Sequence, residues 1–110
     1  MPVGFEQLMW LRMPLYLVDR NLPGVSRDQF RAAQRAMAAA ARASNLPGAV
    51  HYLRGVFVPS QGRAFCLFEA PDADSVRAVN AEAGLPFNCV VEAVEFAVDG
   101  PRAHEGDLTM

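Results

Sequence analysis

Residues Ala64–Ala70 read AFCLFEA and are apolar on both alternating faces through Phe68, the pattern of a central strand covered on both sides. Phe65 and Leu67 then look one way, Cys66 and Phe68 the other. Pro71 stops the strand, Asp72 is placed to cap a helix, and Val76, Val79 and Ala83 recur at helical spacing. Gly84 supplies the left-handed position that ends a helix, and Pro86 prevents a restart. A second continuous apolar run, LYLV within Leu15–Arg20, predicts another interior strand, and Asn21-Leu22-Pro23-Gly24 turns the chain after it.

The first helix opens on a capping box, Ser26 with Gln29, and on a Val25–Phe30 staple. Phe30, Ala33, Met37 and Ala40 or Ala41 form its apolar face; Arg27, Arg31, Arg35 and Arg42 form the opposite one. Asn45, Pro47 and Gly48 end it. Ala49–Pro59 alternates loosely, with His51, Leu53, Gly55 and Phe57 on one side and Val50, Tyr52, Arg54, Val56 and Val58 on the other. Arg54 marks that strand as an edge, and Ser60–Arg63 joins it to Ala64–Ala70 as a hairpin. Cys89–Val98 is a last alternating strand.

The order β-α-β-β-α-β predicts an α+β, ferredoxin-like domain: a four-stranded antiparallel sheet with two helices on one face. The first and third strands are central in that topology, and they are the two with unbroken apolar runs. Right-handed crossovers put both helices on one face, which leaves the other apolar and bare in a single chain. A second chain, in the manner of a dimeric α/β barrel, or a bound molecule is expected to cover it. The expected boundaries are an extension over 1–13, the domain over 14–98 and a polar tail over 99–110.

At 110 residues and 52% apolar content, the chain is one folded domain without need of disulfides or a structural metal. A net charge of −2 argues against nucleic acid as the main partner. There is no apolar run of membrane-spanning length and no signal-peptide pattern, so the cytoplasm is the expected location. All ten basic residues are arginine, which removes Schiff-base and lysine general-base chemistry. Cys66 and Cys89 both fall within predicted strands and are expected to be reduced, buried thiols.

GxSxG, CxxC, HExxH, P-loop and GxGxxG patterns are all missing. His104 lies in the tail, and Glu69 at the end of its strand is placed to accept a hydrogen bond near a helix start. Tyr16, Asp19, His51, Tyr52, Cys66 and Glu92 remain. Asp19, His51 and Cys66 offer carboxylate, imidazole and thiolate from three strands, donors that suit zinc, nickel or copper, although their spacing is unspecific. His51, Asp19 and Glu92 are also the candidates for a general base.

The segments MPLYLVDRNLPGV, HYLRGVFVP, FCLFEAPDADSVRAVNAEAGLPF and VVEAVEF resemble the bacterial family called domain of unknown function 4242, over about Met13–Phe96. The resemblance implies a homodimeric ferredoxin-like protein without an established reaction, some of whose members bind nickel. It suggests metal ligands from the first strand, from the cysteine of CLxEAP and from a histidine in an AGHP segment. Here Cys66 stands at the cysteine position, Asp19 at the first-strand histidine, Leu85 at the AGHP histidine, and His51 near a histidine of the second strand. Three readings follow: a homodimeric protein binding a transition-metal ion or small molecule at the sheet face, a cofactor-independent enzyme of the dimeric α/β barrel type, or a ligand-free interaction module.

Overall fold

The structure, a computed structural model, describes residues 13–44, 50–98 and 100–101. The expected extension, Met13 apart, and most of the tail with His104 lie outside these residues. Strands β1 (Leu15–Asn21), β2 (His51–Val58), β3 (Arg63–Glu69) and β4 (Cys89–Ala93) form one antiparallel sheet in the order β2-β3-β1-β4. Helices α1 (Arg27–Ala43) and α2 (Ala73–Glu82) pack on one face of it. The two strands with unbroken apolar runs are thus the interior pair, and the ferredoxin-like α+β fold is that read from the chain.

Both helices begin as their caps dictate. Ser26 Oγ accepts from Gln29 N at 3.1 Å while Ser26 N donates to Gln29 Oε1 at 2.8 Å, and Asp72 Oδ1 accepts from Ser75 N at 2.8 Å. The core lies between helices and sheet, with Val18, Cys66, Phe68, Met37 and Val76 all fully buried. Each large apolar side chain enclosed there contributes about 1.5–3 kcal/mol. Gly62, at φ +62°, turns β2 into β3, and its carbonyl accepts from Leu22 N at 2.6 Å. A Cβ at this position would stand 2.9 Å from Pro23 Cα, so the β1–α1 turn and the hairpin meet only through glycine.

Three expectations change. A β-bulge between Tyr52 and Arg54 shifts the register of β2 by one, so Tyr52, Gly55 and Phe57 share the helix side while His51, Arg54, Val56 and Val58 share the open side. The last strand ends at Ala93 because its partner, β1, starts at Leu15 and is preceded by Pro14, which has no N–H to extend the ladder. Phe96–Ala97 (β5) and Gly100–Pro101 (β6) form a separate two-stranded ribbon beyond it. Cys89 is exposed, not buried, since it starts an edge strand on the open side; Cys66 is buried, and both are free thiols. Among the described residues no helix is long and apolar enough to cross a membrane.

Candidate functional site

Period-two alternation sends the functional side chains of the sheet to opposite sides. On the helix side, β1 carries Tyr16, Val18 and Arg20, and Arg20 is 1% exposed. Its Nη1 donates to Pro86 O at 3.0 Å, and its Nη2 donates to Asn80 Oδ1 and lies 3.3 Å from Met37 Sδ. Asn80, itself fully buried, donates through Nδ2 to Val76 O at 2.8 Å. Among the described residues no carboxylate pairs with this guanidinium, and Arg20 Nε has no hydrogen-bond partner. Among the described residues its positive charge is held by neutral dipoles.

Cys66 lies beside it. Burial pushes the Cys66 thiol up, while the charge of Arg20 and hydrogen bonds with Arg20 and Tyr52 draw it partly back. Tyr52 Oη accepts from Gln34 Nε2 at 2.7 Å, and burial pushes the phenol up to about 12 despite that bond. Tyr52, Cys66 and Arg20 thus share the helix side of the sheet, with Gln34 bonded to Tyr52 and Asn80 to Arg20. Tyr16 is raised by burial and by the negative charges of Glu92 and Asp72.

The open side is apolar over Leu15, Leu17, Phe65, Leu67, Val56 and Val91, with charged groups at its margins. Arg63 Nη2 donates to both Asp19 oxygens, at 2.9 and 2.8 Å, and the Arg63 guanidinium sits 5.1 Å from the centre of the Phe65 ring. Beyond β4, Glu95 accepts from Arg54 Nη1 at 2.8 Å. Since β4 and β2 are opposite edges of the sheet, this ion pair carries the chain after Ala93 over the open face.

Asp19, His51 and Cys66, the proposed metal set, do not meet within one chain. Cys66 faces the helices; Asp19 faces the open side and is engaged by Arg63. His51 is exposed on edge strand β2 opposite Glu69, about four residues of β3 away from the row of Asp19, roughly 13 Å. The general-base candidates are equally dispersed, because Glu92 is exposed on the opposite edge, across from Tyr16. A surface cavity of about 420 Å³ borders His51 and Tyr52, away from Asp19 and Glu92.

The family described as nickel responsive protein SCO4226-like matches residues 16–93. The chain belongs to this family. The crystal structure of SCO4226 from Streptomyces coelicolor A3(2) is similar to it at 26% identity and a TM-score of 0.64, covering 72% of this chain and 94% of that one. No curated protein matches the chain. The expectation of a small, nickel-linked ferredoxin-like family is met under this description.

Nickel does not fit this SCO4226-like chain at Cys66. Cys66 is fully enclosed on the helix side of the sheet, and the positive guanidinium of Arg20 beside it opposes a divalent cation there. Among the described residues no three His, Cys, Asp or Glu side chains gather closely enough to hold a metal ion. Arg20 and Asn80, neither a nucleophile nor a metal ligand and so not among the candidates, make a fully buried polar contact. The signal was there: Arg20 follows Tyr16 and Val18 at period two, on the buried face of an interior strand.

Proposed function

We propose that the protein works as a homodimer whose open sheet faces meet, and that a small ligand is held at this interface by the polar groups on its margin. The observation that carries this reading is the distribution of exposed apolar surface. Val56, Val91, Val94, Phe96 and Val98 are 58%, 47%, 71%, 74% and 104% exposed, and all lie on the open face or on the segment leaving β4. Scattered surface valines need no explanation, but Val56 and Val91 on the side that no helix covers, with Val94, Phe96 and Val98 exposed on the segment that leaves β4, favour a partner of the same kind. Asp19 with Arg63 and, at the far margin, His51 are the polar side chains there able to orient a ligand.

The family description favours a transition-metal ion as one such ligand. The described residues of one chain do not assemble enough donors, so a metal held by Asp19 and His51 would draw on groups from both protomers. Sedimentation velocity combined with calorimetric titration of nickel, zinc and copper tests the reading. The reading expects a dimer, with metal heat that disappears in Asp19→Asn and His51→Ala and persists in Cys66→Ser. A monomer at micromolar concentration would reject the interface, and a dimer giving metal heat unaffected by Asp19→Asn and His51→Ala would reject these groups as the site.

A further inference from the structure

A groove runs between α1 and the free edge of β2, on the opposite margin of the molecule from β4. One wall is the arginine stripe Arg27, Arg31 and Arg35, all exposed; the other is the backbone of β2 from Leu53 to Phe57. Two adjoining cavities of about 380 and 450 Å³ share Arg31, Gln34 and Gly55 and make it continuous. Its floor is the Gln34–Tyr52 hydrogen bond, laid over Gly55. A Cβ on Gly55 would meet Tyr52 Oη at 2.7 Å, Phe30 Cζ at 3.2 Å and Gln34 Nε2 at 3.3 Å, so any larger residue would displace that floor.

We propose that this groove binds an extended acidic peptide, added to β2 as a fifth strand with carboxylates at alternate positions. Three observations converge on that occupant. An edge strand offers alternate N–H and C=O groups with no partner in the sheet, and β2 is regular from Arg54 to Val58, past its bulge, which suits a segment of about five residues. The stripe has no acidic partner among the described residues, and Asp28 is the sole carboxylate of α1. Arg27, Arg31 and Arg35 repeat every four helical residues, about 6 Å. Alternate residues of a strand repeat at about 6.6 Å, so every second side chain of the added strand, on the helix side, meets a guanidinium in turn. A second copy of this chain pairing edge to edge would instead bring two arginine stripes together.

The test uses a fluorescein-labelled peptide, Thr-Glu-Val-Glu-Val-Glu-Thr, against the full chain by anisotropy at low and physiological salt. A peptide of equal composition with its three glutamates contiguous serves as control. Each exposed pair contributes a fewfold in affinity, so the alternating peptide should bind roughly tenfold more tightly than its control. The variant R27E/R31E/R35E, whose substitutions are all on exposed positions and whose folding is checked by circular dichroism, should lose at least that factor. Amide hydrogen exchange at Arg54–Val58 should slow in the complex. Undetectable binding, equal binding of the two peptides, unchanged β2 exchange, or tighter binding of a single-stranded oligonucleotide than of the peptide would each overturn the proposal. So would loss of a wild-type dimer in the triple variant, which would make the groove a contact between copies.

Discussion

Arg20 and Asn80, sixty residues apart, form a hydrogen bond between β1 and α2 in which both side chains are buried. The pair fastens the second helix to the interior strand, and the bond from Arg20 to Pro86 O holds the loop that follows the helix. Placing a guanidinium in the core is costly, and its retention depends on every dipole directed at it.

From that dependence follows an asymmetry between two substitutions. Asn80→Ala removes an acceptor but leaves the buried charge, and should cost about 2–4 kcal/mol. Arg20→Met removes the charge and keeps most of the volume, so it should cost less than Asn80→Ala. Urea unfolding of both variants measures the order, and the reverse order would show that the hydrogen bonds of Arg20 to Asn80 and Pro86 outweigh the cost of burying its charge.

Cys89 and Cys66 should separate cleanly by reactivity. The first is exposed at the start of an edge strand; the second is enclosed, protonated and held beside Tyr52 and Arg20. Ellman's reagent at pH 8 should modify one thiol per native chain within minutes and the second only on unfolding. Mass mapping that finds Cys66 modified first would contradict the described burial.

Stability should fall at alkaline pH. The Tyr52 phenol titrates at 10.0 ordinarily and at about 12 in the fold, so the folded state keeps a proton that the unfolded chain gives up. Its contribution is complete below pH 10 and is lost as the pH rises toward 12, amounting to at most about 2–3 kcal/mol. The raised Cys66 thiol acts in the same direction from its ordinary value of 9.0 upward. Tyr52→Phe should flatten the decline between pH 10 and 12 in thermal melts while leaving the thiol's share.

Much of this was legible in the chain because the determining interactions are local or periodic. Ser26 with Gln29, Asp72 before Ala73, and the runs LYLV and AFCLF each declare their structure within a few residues. The bulge at Leu53 was not, because neither Arg54 nor Gly55 beside it says where the extra residue falls, and one extra residue exchanges the two faces of a strand. The end of β4 was equally hidden, for VVEAVEF keeps alternating while its partner strand has run out at Pro14. The candidate site suffered most: choosing residues by chemistry grouped Asp19 with Cys66, although register places them on opposite sides of the sheet.

The proposed dimer interface can be tested at positions that the single chain scarcely uses. Val56 and Val91 are about half exposed on opposite edge strands, so Val56→Asp and Val91→Asp should each alter the stability of the isolated domain by no more than about 0.5 kcal/mol. Buried between two facing sheets, however, an unpaired carboxylate costs far more than the valine it replaces. The double variant should therefore sediment as a monomer with unchanged far-ultraviolet circular dichroism at concentrations where the wild type is a dimer. A double variant that stays dimeric would place the contact elsewhere, and Asp19 and Arg63 would no longer lie at the proposed interface.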